Sequence, residues 1–518
     1  MAEEMNFSQL AGQVMMIGYA GSAPSAEIFE WIKNRNLGGI KVFGWNTDNL
    51  SVLKKSIEDM QEAALTSGLG IPLFIATDQE GGWIRHVRGN TSITPGNMAL
   101  GASQIINDSY MTAYYIGKEL KALGINMNFA PTIDLLKNPD AHVIGSRAFS
   151  DDPLRTAVLA TAFANGMRNA GVISTAKHFP GHGRTAIDSH GRLPIIDTPL
   201  DKLLSTDLFP YKFLIKENIP AIMSGHLAFP NITGDRRPAS LSSVFLQDIL
   251  RNKMEFDGII ITDDMQMIGA LYKNNVSESS LEALRAGNDI ILISRNLTEY
   301  DRIRNLIIRE LNNDPDFEKQ IRKSVERILR VKYEYLDMET SHLRVKSQST
   351  YPIPAEGAAA FFYQQAFRSV SMLQNNKPIR KPGANERILL AGPFRFFFEE
   401  GLKRFPNADT YSIPYSPELE SDLGRIAQIA SRYDTIIFCT ANAAGIEILN
   451  TLKNSRSRVI VLSVRSPANL LNLDWIDGGV AVYGTGRESF AAGFAAIAGD
   501  FIPEGILPLV THETKESN

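Results

Sequence analysis

The sequence predicts an α/β fold in which a (β/α)8 TIM barrel is followed by a smaller α/β domain. Eight short, almost continuously apolar runs recur in roughly the first 300 residues, as expected of parallel strands buried on both faces. Between them lie stretches with the amphipathic pattern of helices, such as Asp108–Leu123 and Arg155–Ala170. The count of eight favours a closed barrel over an open doubly wound sheet. The runs are Met15–Gly18, Gly39–Phe43, Leu73–Asp78, Ile125–Pro131, Val172–His178, Ala221–His226, Gly258–Asp264 and Asp289–Ser294.

Polar residues gather at one end of these runs. The residues that stand where a run stops are Asp78, Lys177, His178, His226 and Asp263. In a TIM barrel the carboxyl ends of the strands form the active-site face, whereas random scatter would place polar residues at both ends. The pattern therefore indicates a site at the carboxyl-terminal mouth of the barrel.

A second α/β pattern begins at Arg387, after a charged helical stretch that ends near Leu336. The predicted division of the chain is a barrel at 1–336, a linker with one helix (Glu356–Leu373) at 337–386, an α/β domain at 387–510 and a flexible polar tail at 511–518. The predicted strands of the smaller domain are Ile388–Ala391, Thr435–Cys439, Val459–Val464 and Gly479–Tyr483, and its helices include Glu418–Ser431 and Ser489–Ala498.

Composition excludes several classes of protein. With 518 residues, 44% hydrophobic and 21% charged, the chain has an ordinary globular composition. The net charge of −4 leaves no basic surplus, so we expect neither nucleic acid nor a membrane surface as a partner. The single cysteine, Cys439, excludes an internal disulfide framework and a cysteine-based zinc site. The N-terminus is acidic and no apolar window is long enough to span a membrane, which indicates a cytoplasmic protein.

Three histidines cluster in the glycine-rich segment Lys177–Pro194, which the proline and glycines predict to be a loop. The spacing H-x3-H-x7-H is not an established zinc pattern, so we expect no metal. For His182, between two glycines, we favour a structural role. For His190 we favour acid/base chemistry, because Asp188 is two residues away and a carboxylate can orient an imidazole and raise its basicity. The alternative is a solvated loop with an incidental histidine.

Two further clusters carry carboxylates. Asp263 and Asp264 end the seventh run, and because successive side chains of a strand face opposite ways, one can be a nucleophile and the other a structural acceptor. The alternative for either is a helix N-cap. Asp78-Gln79-Glu80 before a Gly-Gly turn suits the recognition of hydroxyl groups on a polar ligand, and Arg147 and Lys177 add donors at other strand ends. No complete nucleotide-binding loop occurs, since G-x-G-x-x-G is broken at Ser489, so we expect no cofactor.

Together these motifs resemble the signature of bacterial β-N-acetylglucosaminidases of glycoside hydrolase family 3. KHFPGHG followed by DSH is the most distinctive part, and the second domain is similar to the α/β sandwich of two-domain members. The segments that match the family pattern in order are ATDQEGG (Ala76–Gly82), PGNMALGA (Pro95–Ala102), GINMNFAPTIDL (Gly124–Leu135), NPDAHVIGSRAF (Asn138–Phe149), PASLSS (Pro238–Ser243), GIIITDDMQM (Gly258–Met267) and, more weakly, LSVRSPANL (Leu462–Leu470) and YGTGRESFAAG.

The resemblance implies a retaining exo-glycosidase that releases terminal β-linked N-acetylglucosamine from saccharides or muropeptides during cell-wall recycling, with no metal or organic cofactor. In this family the nucleophile corresponds to Asp263 and the acid/base to His190, paired with Asp188. Sugar hydroxyls would be held by the residues that match the family's substrate ligands, namely Asp78, Arg147, Lys177 and His178.

Two positions depart from the family pattern. His86 stands where many members have an arginine, and Arg184 stands where an acidic residue is common. Two other functions stay open: a β-N-acetylglucosaminide phosphorylase, since a neutral histidine repels phosphate less than a carboxylate and Arg184 would attract it, and a non-catalytic sugar-binding protein. The second domain shows no acid that matches a catalytic position, so a structural role is expected for it.

Overall fold

The computed structural model of the protein describes residues 1–294, 296–336, 352–373, 379–416, 419–471 and 473–509. The polar stretch 337–350, predicted to be a linker, and the predicted tail 511–518 lie outside the described residues.

Eight parallel strands form a closed barrel, and each of the eight predicted runs contributes one of them. The order around the barrel is β1-β10-β9-β8-β7-β6-β3-β2, so the first strand pairs with the last and the open-sheet alternative is excluded. A small antiparallel hairpin, β4 and β5, follows β3 and was not predicted. The strands are β1 Met15–Gly18, β2 Gly39–Lys41, β3 Phe74–Thr77, β4 Gln79–Gly81, β5 Ile84–Arg85, β6 Met127–Asn128, β7 Ile173–Phe179, β8 Ala221–Ser224, β9 Ile259–Asp264 and β10 Ile290–Ile293.

Helices surround the barrel, and the two predicted from amphipathic pattern are found at Ile106–Ala122 and Pro153–Asn169. The others are Phe7–Gln13, Ala26–Arg35, Leu50–Leu65, Asn97–Ser103, Leu200–Ser205, Phe209–Lys216, Pro230–Thr233, the π-helix Val244–Lys253, Val276–Ala286, Leu297–Asn313 and Pro315–Leu336. No helix in the described ranges combines the length and apolarity that a membrane crossing requires.

Strand β6 has only two residues, although the sequence predicts seven. The amide side chain of Asn126 bonds to Ile75 N–H and to the Leu73 carbonyl, at 2.8 and 3.0 Å. Asn128 binds the backbone N–H and carbonyl of Gln79 in the same way, both at 2.9 Å. These side-chain bonds add to the backbone bonds with β3, in which Asn126 N–H donates to the Ile75 carbonyl at 3.1 Å and Phe129 N–H donates to the Thr77 carbonyl at 2.8 Å. They also fix the start of the hairpin that carries Gln79.

The second domain is a six-stranded, mostly parallel sheet of order β11-β16-β15-β14-β12-β13, flanked by helices. The four predicted strands are present, and two short ones were missed. The strands are β11 Ser371–Met372, β12 Ile388–Gly392, β13 Asp409–Ser412, β14 Thr435–Thr440, β15 Arg458–Val464 and β16 Gly478–Tyr483. The helices are Ala358–Ser369, Arg395–Arg404, Leu419–Ala430, Ala443–Asn450 and Arg487–Ile497. The helix predicted to end at Leu373 ends at Ser369, because Ser371 and Met372 pair antiparallel with β16.

One apolar cluster joins the two domains. Met98 and Ala102, from the helix after the hairpin, and Ile144, from the loop after β6, pack with second-domain residues such as Phe438 and Tyr483. Polar contacts support the junction: Arg368 forms a bidentate pair with Asp108, at 2.8 and 2.9 Å. The two units therefore share part of their core.

Lys332 is fully buried at the amino-terminal end of the barrel strands. Its ammonium group donates to Gln13 Oε1 at 3.1 Å and to the Gly38 carbonyl at 2.9 Å. Burial lowers the pKa of Lys332 to about 7. A neutral amine has two N–H groups, and these two acceptors satisfy both.

We predict that stability contributed by Lys332 rises with pH. Its pKa is about 7 in the fold and 10.5 ordinarily, so between these values the unfolded chain binds more protons and stability increases with pH. The difference in unfolding free energy between wild type and Lys332→Met should therefore grow by about 1 kcal/mol per pH unit from about pH 7.5 to about pH 9.

Urea unfolding of both proteins at the two pH values checks this prediction. Lys319→Met, at an exposed position of the same helix, is the control and should show no such trend. A difference that stays flat with pH would mean that Lys332 remains protonated in the fold.

Candidate active site

A cluster of buried charges occupies the mouth of the barrel, where β2, β3 and β7 end. Asp78 lies between two lysines: its Oδ1 is 2.6 Å from Lys177 Nζ and its Oδ2 is 2.7 Å from Lys41 Nζ. Burial would raise the pKa of Asp78, but the two ammonium groups outweigh it and hold that pKa well below its usual range. Both lysines are almost fully buried. Asp78 is thus a fixed carboxylate with lone pairs still free for ligand hydroxyls.

Glu80, from the hairpin, binds the other side of the same cluster. Its carboxylate forms a bidentate pair with Arg147 at 2.8 and 2.9 Å and contacts Lys177 Nζ at 2.6 Å. Burial opposes ionisation, yet Arg147 and Lys177 lower the pKa of Glu80 to about 2. The hairpin delivers Glu80 to this place because Gly81 and Gly82 turn the chain with φ of +96° and +59°, which favour glycine.

Asp134 organises the start of the histidine-rich loop. Its Oδ2 is 2.7 Å from His178 Nδ1, and its Oδ1 accepts the backbone N–H of His182 at 2.6 Å. The other ring nitrogen of His178 lies 3.2 Å from Arg147 Nη2. The burial of Asp134 is outweighed by His178, and the pKa of Asp134 is about 2. His178 is therefore held between this carboxylate and the charge cluster.

His182 is buried and contacts the dyad segment of the loop, with Nε2 3.1 Å from Ser189 Oγ. Burial lowers the pKa of His182 to about 4, so its ring is neutral at physiological pH. These contacts fit the structural role that the sequence favours for it. No group of three or more histidine, cysteine, aspartate or glutamate side chains in the described ranges is arranged to hold a metal ion.

The paired carboxylates at the end of β9 differ in environment. Burial would raise the pKa of Asp263, but the imidazoles of His178, His226 and, more weakly, His190 lower it below its ordinary value. Asp264 instead accepts the backbone N–H groups of Gln266 and Ser294, both at 3.1 Å, and burial raises its pKa. Asp264 therefore ties the end of β9 to the end of β10, while Asp263 is an ionised carboxylate at the mouth.

Asp188 and His190 form a hydrogen-bonded pair on the exposed half of the loop. His190 Nδ1 is 2.7 Å from Asp188 Oδ1, which also accepts the His190 backbone N–H at 2.9 Å. The two side chains are 69% and 52% exposed. Ser189 between them is buried, and its carbonyl accepts the Gly269 N–H at 3.0 Å. The loop is thus anchored at Ser189 while the dyad side chains face solvent.

The predicted residues fall into two groups in the structure. Asp78, Arg147, Lys177 and His178 form one continuous network with Glu80. His178 and His190 lower the pKa of Asp263, and Asp188 is bound to His190. His86, the departure from the family pattern, lies beside the network with Nδ1 3.3 Å from Lys41 Nζ. Burial and then Lys41 lower the pKa of His86 to about 4.

Sequence reasoning missed Lys41 and Asp134. Lys41 lies inside the predicted run Gly39–Phe43 and is its one charged residue, so the signal that could have found it is a charge within an apolar run; the strand itself ends at Lys41. Asp134 lies beyond the end of β6 and carries no such signal. His226 was noted at a strand end without a role; its ring contacts Ser240 Oγ at 2.8 Å and the Asp264 carbonyl at 3.1 Å.

A family model described as the glycosyl hydrolase family 3 N terminal domain matches residues 7–331, which carry all of these residues. The chain belongs to glycosyl hydrolase family 3. The prediction of this family from the loop and strand-end motifs is confirmed.

Named relatives of this family member include two bacterial proteins. Beta-hexosaminidase A of Pseudoalteromonas piscicida is 34% identical over 363 residues, which are 63% of this chain and 60% of that protein, so the chain spans less than two thirds of that relative. Beta-hexosaminidase of Tolumonas auensis is 35% identical over 285 residues, which are 54% of this chain and 83% of that protein.

A solved structure is similar over both domains of this family 3 chain. It is a glycoside hydrolase family 3 beta-N-acetylglucosaminidase from Paenibacillus sp. str. FPU-7, with a TM-score of 0.90 and 26% identity, covering 98% of this chain and 99% of that one. The predicted architecture, a TIM barrel followed by a smaller α/β sandwich domain, is confirmed by the strand topology and by this similarity.

We predict that Glu80→Gln costs about 3 kcal/mol of stability or more, because it leaves Arg147 and Lys177 buried with one counter-charge fewer. The matched control is Asp59→Asn, which removes the partner of Lys55 in an exposed helical pair and should cost less than about 1 kcal/mol. Urea unfolding at neutral pH measures both. Equal, small losses would mean that the buried network contributes no more than a surface pair.

Proposed function

We propose that this protein is a retaining exo-β-N-acetylglucosaminidase that acts through a glycosyl-enzyme intermediate on Asp263. The observation that carries the proposal is the pairing of unlike groups at the mouth: a half-buried, ionised Asp263 at the end of β9, and an exposed Asp188–His190 dyad whose loop is tied to the turn after β9 by the Gly269 N–H bond to the Ser189 carbonyl. Retention requires a nucleophile and an acid/base on opposite sides of the scissile bond. The names of the similar bacterial hexosaminidases and of the Paenibacillus enzyme support the substrate class.

In the first step the Asp263 carboxylate oxygen attacks the anomeric carbon while the bond to the leaving oxygen breaks. His190, as imidazolium, gives a proton to that oxygen. Because Nδ1 of His190 is bound to Asp188, its Nε2 is the atom available to the substrate. The lowered pKa of Asp263 keeps the nucleophile ionised at neutral pH.

In the second step water attacks the anomeric carbon and the ester bond to Asp263 breaks. The neutral His190 ring takes the proton from the water and returns to its starting state. The exposure of the dyad suits this step, because water reaches His190 directly. Asp188 acts as a positioning residue that fixes the tautomer of the ring.

The sugar itself would be held by the charge network. Asp78 offers fixed acceptors for hydroxyl groups, and Arg147 and Lys177 offer donors beside it, while His178, whose two ring nitrogens contact Asp134 and Arg147, holds Arg147 in place. Since these side chains are already paired with one another, they bind the sugar without reorganising, which suits transition-state stabilisation. The proposal includes release of terminal β-linked N-acetylglucosamine from muropeptides in the cytoplasm, during cell-wall recycling, as the sequence predicts.

The first test is hydrolysis of 4-nitrophenyl β-N-acetylglucosaminide, with the β-glucoside as the matched control, and with the anomer of the product followed by NMR. The proposal expects turnover of the N-acetylated substrate and release of the β-anomer.

The same assay with and without phosphate tests the phosphorylase alternative. Arg184, which the sequence links to phosphate, is bound to Asp207 and Thr206, each at 2.8 Å, and gives that alternative no support. If neither glycoside is turned over under either condition, the remaining alternative is a non-catalytic sugar-binding protein.

Replacing the nucleophile should nearly abolish turnover. We expect Asp263→Ala to lower kcat/KM by roughly four orders of magnitude, because both chemical steps pass through its carboxylate. Asp264→Asn is the matched control, since it changes the neighbouring carboxylate that binds backbone N–H groups. Its kcat/KM should fall by less than about tenfold. A folded but inactive Asp264→Asn beside an active Asp263→Ala would reverse the assignment of the nucleophile.

Removing the acid should affect substrates according to their leaving groups. We expect His190→Ala to slow the glycosylation step by roughly 100-fold or more for a phenyl glycoside, and far less for a 2,4-dinitrophenyl glycoside, whose leaving group departs without a proton. Pre-steady-state kinetics isolates this step. Asp188→Asn should show the same trend with smaller losses, because it only orients the ring. Equal losses for both glycosides would show that His190 is not the acid.

A further inference from the structure

A cavity of about 310 Å³ lies between the two domains. The barrel contributes residues from the turn after β4 and from the loop after β6, and the second domain contributes the carboxyl ends of β14 and β15. In open α/β sheets, ligands bind outside the carboxyl ends of the strands. The residues that line the cavity include Trp83, Ser146, Tyr415, Asn442, Ser463 and Arg465.

The cavity adjoins the proposed sugar site. Trp83 follows the Gly81–Gly82 turn that delivers Glu80, and Ser146 directly precedes Arg147. Glu80 and Arg147 are bound to each other, so residues close in the chain to both members of this ion pair line the cavity. A substrate whose terminal sugar occupies the barrel mouth therefore has space for its next group in this direction.

Arg465 gives the cavity its charge. It is the one permanently charged side chain among the described residues that line the cavity, and none of them is a carboxylate. Its guanidinium lies 4.4 Å from the centre of the Trp83 ring and 5.0 Å from that of Tyr415, and it donates to the Tyr415 hydroxyl. Its Nε has no acceptor in the described part of the chain. The cation is thus held in place by aromatic groups without being neutralised.

Two further features point to a ligand that accepts hydrogen bonds. The helix Ala443–Asn450 begins at the cavity wall, and its N-terminal end carries partial positive charge. The Asn442 side chain caps Gly445 at 2.9 Å. Ser463, also in the wall, is fully buried, and its hydroxyl has no partner among the described residues. The Arg465 guanidinium, the N-terminal end of this helix and the Ser463 hydroxyl together favour a ligand with an anionic group.

We propose that this cavity binds the leaving-group part of the substrate and that Arg465 recognises a carboxylate carried by it. The inference rests on the proposed function, and it gives the second domain a part in specificity, where the sequence predicts only a structural role. One arginine matches one negative charge, and its planar fork pairs with a carboxylate through two hydrogen bonds. Asp263 and His190 belong to the barrel, so Arg465 acts on specificity and not on the bond that breaks.

The test compares two aryl N-acetylglucosaminides that differ only in charge: the 4-(carboxymethyl)phenyl glycoside and its methyl ester. The methylene group insulates the phenol, so the leaving groups have nearly the same acidity. We expect the acid to be preferred by about tenfold in kcat/KM. In Arg465→Met this acid-to-ester ratio should fall to about one, and in Arg465→Lys, which keeps the charge without the fork, it should be intermediate.

The matched control is Arg432→Met, which removes an exposed arginine next to the opposite end of β14 and should keep the wild-type ratio. If Arg465→Met does not fold, Arg465→Lys carries the comparison. Equal kcat/KM for acid and ester in the wild type overturns this inference and leaves the proposed function standing. If neither the acid nor the ester is hydrolysed, the proposed function and this inference are both contradicted. Preference for a 4-(phosphonomethyl)phenyl glycoside over the acid would overturn the assignment to a carboxylate.

Discussion

The burial of Asp78 and Glu80 at the barrel mouth is the constraint on which the site depends. A buried carboxylate is tolerated only when opposite charges and hydrogen bonds compensate its lost hydration. Here Lys41, Lys177 and Arg147 supply that compensation from different elements of the barrel. These side chains therefore hold one another in place, and the short hairpin and its glycine turn are needed to bring Glu80 into the network.

The network also affects the orientation and the ionisation of the residues next to it. Arg147 contacts His178, and Asp134 holds the same ring from its other side, so the order of the charge cluster extends into the histidine-rich loop. Of the groups that lower the pKa of Asp263, His178 has the largest effect. The ionised state of the proposed nucleophile thus depends on residues that never touch the bond being broken.

Most of the barrel could be predicted from the sequence, because buried parallel strands are local apolar runs and polar residues mark their carboxyl ends. The missed strands of the second domain lacked that signal: β13, Asp409–Ser412, is largely exposed and polar, and β11 has two residues directly after a helix. Asp134 was missed for a different reason. Its role arises from contacts made by chain folding, with backbone N–H groups of a distant loop, and no spacing rule records them.

The pairing of the two domains has a consequence for how substitutions act. The apolar cluster that contains Met98, Ile144 and Tyr483 fixes the second domain against the barrel, and the same loop that carries Ile144 leads to Ser146 and Arg147. A shift at this junction moves the cavity wall and Arg465, and through the loop that carries Ile144 it also bears on Arg147 in the charge network. It leaves β9 and the Ser189–Gly269 anchor, which carry Asp263 and the dyad, within the barrel. Under the proposed function, changes in the shared core therefore act on substrate binding before they act on the chemical step.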